Sequence, residues 1–452
     1  MNRTLVIGFG PSALRPTENP ADPIPVRLSL PDWKGDIGFA ALQRTLRALG
    51  LVPSELGLDF FTVALGVYAA DLCTNRGEFG DDAWTRHLDV EIEISDIALW
   101  SAAVVPLVKG LRFLSNDVWR FSFRQRLKDR TELGFRNSRF AQFRPTGINL
   151  FSGGLDSAIG AIDCLSRGEA LLLASTAGER QTGTPQRRVF NALRSSFPGA
   201  VLRHVHQPII IPSYLKRSSE SSQRARSILF LGFGALIASC YSPDGMPLTV
   251  AENGLIALNV PTRANRMASN STKTTHPFLL SRVRETLAIL GLNMEVREPY
   301  RFSTKGEMIA ATDRNALSAV MPETVSCAKA AQLFRQRTRL LHCGSCTACL
   351  IRRASIAAGW PAADPTPGYF YTPVLDGETI EADNTRGGDI RAFKAAAARL
   401  AAEPTRAYVD VYRSGPMFDV RREIRQYAEV YSRGLTEVGR LLEKVATSAS
   451  QS

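Results

Sequence analysis

The segment that most constrains the fold of this chain is a six-residue run, Ser-Gly-Gly-Leu-Asp-Ser, at residues 152–157. A short, mostly apolar stretch at residues 148–151 precedes it and predicts a β-strand. A helix is predicted from about residue 157 to residue 167, with Gly168 as its C-cap. A glycine-rich loop between a strand and a helix predicts a parallel α/β sheet, in which ligands bind at the carboxyl ends of the strands.

The sequence beyond this helix continues the same alternation. Strands are predicted at residues 171–174 and 248–250, and the second of them ends at the run Glu-Asn-Gly, residues 252–254. The near-apolar stretch at residues 227–240 predicts a buried helix. The parallel α/β core therefore covers residues 147–360.

The regions on either side of this core differ from it. Residues 1–140 predict an added N-terminal mixed α/β domain without a catalytic constellation, and its expected elements are an apolar helix near residues 60–72 and strands at residues 90–97 and 118–124. Residues 361–452 predict a helical C-terminal extension. Apolar residues recur there every three or four positions from Val420 to Val445, which indicates a packing surface.

The composition of the glycine-rich loop favours binding of a phosphate group. Its glycines let backbone amides approach a ligand closely, and the helix N-terminus behind them adds positive potential. Ser152 and Ser157 supply hydroxyl groups, and Asp156 orients the loop or helps to hold magnesium. The Lys-Ser/Thr pair of a Walker loop is missing. The residues expected to contact the cofactor are Phe151, Ser152, Gly153, Gly154, Leu155, Asp156, Ser157 and Ser175.

The six-residue run resembles the pyrophosphatase loop (PP-loop) of the nucleotide α-hydrolase ATPases. That resemblance implies that ATP is cleaved between its α and β phosphates and that an acceptor is activated as an adenylate. Negative charge builds up on the leaving group, so basic side chains are needed nearby. The basic candidates are Arg224, Arg226 and Lys305, and the expected catalytic set is Asp156, Arg226 and Lys305. The structural alternatives are surface arginines and a lysine that merely starts a helix.

Four of the seven cysteines cluster in the sequence, at Cys327, Cys343, Cys346 and Cys349. A disulfide framework is not expected, because the absence of a signal peptide predicts a cytoplasmic protein. Four thiolates suit zinc in a closed tetrahedral site, so His342 is not expected to be a ligand. An iron–sulfur cluster is the chief rival, but Arg353 and Ala354 stand where the Cys-Pro continuation of a ferredoxin motif would be. The spacing therefore predicts a metal site and favours zinc.

Loop and cysteine cluster, in this order, resemble the 7-cyano-7-deazaguanine synthase (QueC-like) family over residues 147–360. The other matching residues are Thr304-Lys305-Gly306-Glu307, Ser326-Cys327, Cys343-Gly344, Cys346, Cys349 and Arg352. The resemblance implies that ATP adenylates the carboxylate of 7-carboxy-7-deazaguanine. It further implies that ammonia gives the amide and that a second ATP dehydrates the amide to the nitrile.

The chain departs from that family in its two flanking regions, in a loosely matching segment at residues 183–188 and in a long stretch between Cys327 and Cys343. This shape resembles the defence-associated, QatC-like branch, and so do residues 251–254 and 275–277. These two segments are expected either to line the base pocket or to be structural loops. The resemblance to that branch implies an antiphage defence system. There the activated deazaguanine passes to an amine on a protein partner from the same operon rather than to ammonia.

Two other functions remain open from the sequence. A net charge of +12 allows a tRNA-modifying thiolase or lysidine-type ligase of the PP-loop superfamily, but Cys164 and Cys240 lie in apolar helical segments and nucleic-acid binding is not favoured. The large N-terminal region allows a non-catalytic, nucleotide-binding subunit of a larger complex. No uninterrupted run of ~18 to 20 apolar residues is found, so no membrane association is expected.

Overall fold

The computed structural model describes residues 2–11, 19, 22–137, 140–177, 183–216, 218–220, 222, 224–262, 273–330, 333, 342–370 and 385–449. The long stretch between Cys327 and Cys343 lies mostly outside these residues, and so does the side chain of Val445. Within them the chain is of the α/β class. Its two named sheets contain parallel strand pairs throughout, which confirms the expected class of fold.

The N-terminal sheet has the strand order β2-β1-β3-β4. Its strands are β1 (Asn2–Phe9), β2 (Ile24–Leu28), β3 (His87–Ile94) and β4 (Val118–Gln125). Half-buried and buried side chains alternate along the whole of β3, as the sequence pattern predicts, although the strand ends at Ile94 and not at residue 97. The helices of this region are α1 (Ala40–Ala48), α2 (Glu55–Cys73), α3 (Arg76–Phe79) and α4 (Ile97–Ser115).

The second sheet has the strand order β7-β6-β5-β8-β9. Its strands are β5 (Gly147–Leu150), β6 (Leu171–Ala177), β7 (Leu202–Pro208), β8 (Leu248–Thr249) and β9 (Val296–Arg297). The chain adds β6 and β7 on one side of β5 and then returns to place β8 and β9 on the other side. The carboxyl ends of β5 and β8 therefore flank the topological switch point, where open α/β sheets bind ligands.

The helices around this second sheet follow the expected alternation. They are α5 (Leu155–Ser166), α6 (Gly183–Ser196), α7 (Arg226–Ala238), α8 (Gly254–Leu258), α9 (Pro277–Ile289), α10 (Lys305–Ala311), α11 (Arg314–Val320) and α12 (Thr347–Gly359). Gly168, just beyond α5, has a φ of +75°, the left-handed conformation expected after a helix. The predicted buried helix at residues 227–240 is α7 together with the short turn that follows it.

Two apolar helices connect the sheets. α2 packs along α7 at close range, because a Cβ on Gly232 would lie 2.4 Å from the Cβ of Ala64. The rings of Phe61 and Phe233 also meet, with 5.5 Å between their centroids. α7 in turn covers one face of the second sheet, where Leu172 belongs to the same hydrophobic core. A continuous core therefore extends from the N-terminal region into the sheet that carries the loop.

α2 and α4 are long and apolar enough to cross a membrane by length and composition. In α2, 94% of the apolar window is buried inside the protein, whereas in α4 the figure is 39%. Core helices of soluble proteins pass the same test, so this is weak evidence for membrane association.

The C-terminal region is helical, with α13 (Thr385–Ala402), α14 (Arg406–Tyr412) and α15 (Ile424–Ala449). The predicted apolar stripe is buried at Tyr427, Tyr431, Leu435, Val438 and Leu442. These side chains share a second core with α8, α12, α13 and α14. The stripe is therefore a packing surface, and it fixes the tail against helices of the second sheet.

Candidate functional site

The loop after β5 turns tightly at Gly153. This residue has a φ of +77°, a conformation that glycine adopts without steric cost. A Cβ at this position would also lie 2.8 Å from the backbone nitrogen of Gln186. Both the conformation of the loop and the close approach of α6 therefore require glycine here.

α5 begins directly behind the loop, and its N-cap residue provides no capping side chain. Its N-cap is Gly154, which has no side-chain acceptor. The Oγ atom of Ser152 accepts the amide of Gly154 at 3.2 Å, and the hydroxyl of Ser157 donates to the carbonyl of Gly154 at 3.0 Å. The loop and the first turn of a 12-residue helix thus gather amide and hydroxyl groups, an arrangement suited to phosphate oxygens.

Asp156 joins the loop to two distant parts of the chain. Its Oδ1 atom lies 3.1 Å from the Nζ atom of Lys305. Its Oδ2 atom accepts a hydrogen bond of 2.7 Å from the side-chain amide of Asn253. All three side chains are buried. Since Asn253 follows β8, its hydrogen bond to Asp156 bridges the switch point. The contact with Lys305 places a cation beside the loop. The catalytic roles of Asp156 and Lys305 stay predictions.

Lys305 is positioned by the start of α10 and by the C-terminal helix. Thr304 caps α10 in a capping box with Glu307. The Thr304 hydroxyl also donates to Glu437 of α15, and the other oxygen of that carboxylate accepts a hydrogen bond of 3.1 Å from Ser355. Lys305 is therefore both a helix-start lysine and the partner of Asp156. The contribution of the tail to this arrangement was not foreseen from the sequence.

Glu252 adds a second carboxylate beside Asp156. It accepts hydrogen bonds from the hydroxyl groups of Thr275 at 2.5 Å and Thr274 at 3.2 Å. Burial raises the pKa of Glu252 and the Thr275 hydrogen bond opposes the rise, while the charge of Asp156 adds to it. Two of the segments expected near the base therefore meet here. His276, by contrast, is fully buried and lies 2.9 Å from the hydroxyl of Ser414, in a structural contact with the tail.

Ser175 lies on β6 in a network that the sequence did not predict. Its hydroxyl lies 2.6 Å from Nε2 of His204 and 3.0 Å from Nδ1 of His206. One hydroxyl proton serves only one of these nitrogens, so the other must carry its own hydrogen. Burial lowers the pKa of His204 to about 3 and lowers that of His206 as well, which keeps both rings neutral at pH 7. The ring of His204 also packs against Phe151, with 5.6 Å between centroids.

The signal that could have revealed this network is the spacing His-x-His. Side chains two residues apart on a strand point to the same face of the sheet, so a strand at this position places His204 and His206 on the same face of β7. To predict the contact with Ser175, the register between β6 and β7 must also be known, because that register places Ser175 of β6 opposite His206 of β7.

Arg226 does not belong to the Lys305–Asp156 pair. It is the first residue of α7, and its guanidinium lies over the ring of Phe230, 5.5 Å from the centroid. Arg224 is buried and lies over Trp84 of the N-terminal region, 5.6 Å from the ring centroid. Of the two predicted catalytic cations, Lys305 is the one that contacts Asp156.

The four clustered cysteines converge in space, and all four are buried. Their Sγ atoms lie within 4.8 Å of one another. An ion bound tetrahedrally by four sulfur atoms at ~2.3 Å requires those sulfur atoms to lie ~3.8 Å apart. The four Sγ atoms would therefore need to move together only slightly to bind such an ion. The amide of Cys346 lies 3.3 Å from Sγ of Cys343, and the amide of Cys343 lies 3.3 Å from Sγ of Cys327. The group can therefore hold a metal ion such as zinc.

The start of α12 adds to the suitability of this group for a metal. Cys346 is the N-cap of α12, and Cys349 lies in its first turn. The positive end of a helix dipole favours negatively charged groups, here the thiolates that a metal requires. Arg352, one turn further, is fully buried and donates to the hydroxyl of Thr324 at 2.8 Å. It thereby ties α12 to the segment that leads into Cys327.

This segment connects the cysteine group to the loop. The amide of Val325 donates to the carbonyl oxygen of Gly153 at 3.1 Å. The Oγ atom of Ser326 accepts from the amide of Leu155 at 3.4 Å. His342 is not one of the four ligands, but its Nε2 atom accepts the amide of Ser326 at 3.2 Å. The residues next to the first cysteine therefore contact the glycine-rich loop directly.

Comparison of the chain with protein-family models, with curated proteins and with solved structures finds no match. The site is therefore interpreted from its own residues. What the structure shows is an α/β fold with parallel sheets, a glycine-rich loop at the switch point and an adjoining group of four cysteines. The resemblance to the 7-cyano-7-deazaguanine synthases stays a prediction.

Proposed function

We propose that this chain is an ATP-dependent ligase of the PP-loop type, which adenylates a 7-deazaguanine carboxylate and transfers it to an amine. The observation that carries the proposal is the contact of the 152–157 loop with Val325 and Ser326, next to the cysteine group. Glycine-rich loops and cysteine groups each occur in many unrelated proteins. Their junction at the switch point of a parallel sheet supports a single combined site.

The first chemical step joins the acid to AMP. A carboxylate oxygen attacks the α-phosphorus, the bond from that phosphorus to the bridging oxygen breaks, and the electron pair leaves with pyrophosphate. The amides and hydroxyl groups of the loop are suited to hold the pyrophosphate. Lys305, with its Nζ atom 3.1 Å from Asp156, supplies positive charge where negative charge develops.

Mg²⁺ would enter with ATP. Carboxylate oxygens are its usual protein ligands, and Asp156 of the loop and the neighbouring Glu252 provide them. Asp156 already contacts both Lys305 and Asn253. We therefore assign two roles. Asp156 orients Lys305, and the carboxylates of Asp156 and Glu252 together bind the Mg²⁺ ion that accompanies ATP.

Zinc is the ion that we assign to the four cysteines. Four thiolates complete a tetrahedral shell, so the ion would be structural and leave no open position for a substrate. Its place next to residues 325 and 326 would hold this segment against the loop. Elemental analysis of the purified protein should find one zinc ion per chain. Iron with acid-labile sulfide would instead support the iron–sulfur alternative.

The second step transfers the activated acid. The amine attacks the carbonyl carbon of the adenylate, a carbon–nitrogen bond forms, the amine loses a proton and AMP leaves. The amine is ammonia or an amino group of a protein partner. The flanking regions of the chain favour the partner, because their presence resembles the defence-associated branch.

The experiment that tests this function supplies the purified protein with ATP, Mg²⁺ and 7-carboxy-7-deazaguanine. We expect release of pyrophosphate and AMP only in the presence of the acid. Mass spectrometry should then detect the amide, the nitrile or a deazaguanine adduct of a candidate partner. If neither AMP nor a deazaguanine product forms with any candidate amine, the substrate assignment is wrong.

A matched pair of variants separates catalysis from nucleotide binding alone. Asp156→Asn removes the charge that faces Lys305 and should lower pyrophosphate release about 10²- to 10³-fold. Asp244→Asn changes a carboxylate that is 74% exposed and should leave the rate unchanged. A non-catalytic nucleotide-binding subunit would instead keep its biological activity in the Asp156→Asn variant.

A further inference from the structure

A cavity of about 300 Å³ lies between α6, the segment that leads into the cysteine group and the turn at residues 367–368. Its polar lining comes from Arg188, Glu323, Thr324 and His342. None of these residues belongs to the loop or to the four cysteines. The cavity is therefore a separate space beside the proposed nucleotide site.

Both walls of the cavity contact the glycine-rich loop at the same residue. On one wall, the amide of Val325 donates to the carbonyl oxygen of Gly153 at 3.1 Å. On the other, α6 approaches so closely that a Cβ on Gly153 would lie 2.8 Å from the backbone nitrogen of Gln186, two residues before Arg188. A molecule in this cavity would therefore lie next to the loop that is proposed to hold the pyrophosphate.

The lining carries one side chain of each charge, Arg188, which is exposed, and Glu323, which is half-buried. Within the described part of the chain, neither side chain forms an ion pair or hydrogen bond with another residue. Both charges are therefore open to a ligand in the cavity, and a ligand with complementary groups would pair with them.

His342 is a third polar side chain of the lining. It is 3% exposed, and its Nε2 atom accepts the amide of Ser326 at 3.2 Å. An accepting Nε2 places the ring hydrogen on Nδ1. In the cavity that His342 lines, this N–H group can donate to an acceptor of a ligand.

The size of the cavity limits what it can hold. Pockets for small molecules typically span ~300–1,000 Å³, so this cavity lies at the small end of the range. It suits one fused ring system with its substituents, not a nucleoside triphosphate. The nucleotide and a small planar acid can thus occupy neighbouring sites that meet at Gly153.

We propose that this cavity is the acid-binding pocket: it takes a planar heterocyclic carboxylate, with Glu323 accepting N–H groups of the ring edge and Arg188 binding the carboxylate. The Nδ1–H group of His342 donates to an oxygen or nitrogen acceptor of the ring. A carboxylate oxygen of Glu323 suits the adjacent N–H donors of a 2-amino-4-oxopyrimidine ring. This assignment rests on the proposed function, because an acid that reacts at the α-phosphorus must lie beside the loop.

Titration calorimetry with 7-carboxy-7-deazaguanine tests the assignment. Arg188→Met and Glu323→Gln should each weaken binding of the acid about 10- to 100-fold, as the loss of a charged hydrogen-bond partner does. ATP binding should not change. The matched controls are Arg194→Met, an exposed arginine on the same helix, and Glu295→Gln, an exposed carboxylate outside the cavity lining; neither should change the affinity for the acid.

A second probe, 7-deazaguanine, lacks the carboxylate and sharpens the assignment of each residue. Its binding should weaken in Glu323→Gln but not in Arg188→Met, since its pyrimidine edge remains and its carboxylate does not. If Arg188→Met weakens both probes equally, the assignment of Arg188 is wrong.

The outcomes separate this inference from the proposed function. Pyrophosphate release that depends on the acid, together with unchanged acid affinity in both cavity variants, overturns the pocket and leaves the enzyme assignment standing. Acid binding that both variants weaken, without any pyrophosphate release in the wild type, supports the pocket and overturns the enzyme. If the wild-type protein does not bind the acid at all, both are wrong.

Discussion

The two parallel sheets of this protein handle their charged groups in different ways. At the amino ends of β3 and β4, the guanidinium of Arg86 binds Asp117 at 2.7 and 3.2 Å and Asp71 at 2.6 Å. All three side chains are buried, and Arg76 adds a bond of 2.9 Å to Asp117. Burial opposes these charges, but the mutual pairing more than offsets it, so the pKa of Arg86 is raised and that of Asp117 is lowered.

The charged groups of the second sheet that concern the candidate site lie at the opposite, carboxyl ends of its strands. Three features lie around the carboxyl end of β5: the N-terminus of α5, the Lys305–Asp156 pair and the cavity between Arg188 and Glu323. The N-terminal sheet also pairs the charge at its carboxyl ends, where buried Arg126 lies 2.8 Å from Asp59. The two sheets therefore differ in what adjoins the charges. The Lys305–Asp156 pair lies beside a glycine-rich loop at a switch point, where we propose that a ligand binds.

The largest effect is expected from Arg86→Met, which leaves Asp71 and Asp117 buried without their cation. The free energy of unfolding, measured by urea denaturation, should fall by about 3–5 kcal/mol. The matched control is Arg120→Met, because Arg120 pairs with Asp89 while 49% exposed, and this variant should lose less than about 1 kcal/mol. Equal losses in the two variants would contradict the structural role of the Arg86 cluster.

Lys305→Met tests the charge at the other end of a sheet. Pyrophosphate release that depends on the acid should fall about 10²- to 10³-fold in kcat, because the cation beside the loop is lost. Lys305→Arg keeps the charge and should recover part of the rate. Lys109→Met changes an exposed lysine of α4 and serves as the control. An unchanged kcat in Lys305→Met would assign this lysine a structural role only.

The pH dependence of stability compares two buried histidines, one inside the second sheet and one at its contact with the N-terminal region. Burial lowers the pKa of His204, in the second sheet, and of His276, which packs on Phe113 of α4, to about 3. Both rings are neutral when folded and take up a proton near pH ~6.5 when unfolded. Their contribution to stability is therefore complete above that pH and lost as the pH falls towards 3, by about 1.4 kcal/mol per pH unit for each.

Denaturation curves at several pH values check this expectation. His204→Gln and His276→Gln should each make the decline of stability below pH ~6.5 shallower by about 1.4 kcal/mol per pH unit. A decline as steep as in the wild-type protein would show that the replaced histidine titrates normally in the folded state.

The smallest effect is expected from two glycines with positive φ, one in each region. Gly50 has a φ of +68° and Gly153 one of +77°. A Cβ on Gly50 would lie 2.6 Å from the carbonyl oxygen of Ala141, and a Cβ on Gly153 would lie 2.8 Å from the backbone nitrogen of Gln186. Alanine should cost about 1–2 kcal/mol of backbone strain at each site, together with a local shift to relieve the contact.

The two glycine variants should differ in ligand binding. Gly153→Ala should weaken ATP binding, because the shift distorts the proposed phosphate loop, whereas Gly50→Ala should lower stability alone. Calorimetry with ATP, alongside thermal denaturation, measures both quantities. Equal ATP affinity in the two variants would argue against a phosphate-binding role of the loop.

Local elements of this fold could be predicted well because their signals are local. The alternation in β3, the apolar stretch of α7, the loop between β5 and α5 and the stripe of α15 each lie within one short segment. The convergence of the four cysteines also followed from spacing, since three of them occur within seven residues. These features depend on periodicity and on side-chain chemistry, which the sequence displays directly.

The contacts around the loop could not be predicted in the same way. Asn253 reaches Asp156 because β8 lies beside β5, and Glu437 reaches Thr304 because the tail packs on α8 and α12. Arg226 illustrates the converse. Its positive charge suggested a place beside the loop, but the structure places its guanidinium over the ring of Phe230. Such pairings depend on how whole elements pack.

The sequence by itself determined the strand–loop–helix unit, the need for glycine in its turn and the set of thiols that can hold a metal, because each depends on neighbours along the chain. Only the tertiary structure decided which cation meets Asp156, which residues join the loop to the cysteines and where a cavity remains between them. The physical reason is that these contacts join residues far apart in sequence, and strand order and helix packing alone bring them within bonding distance.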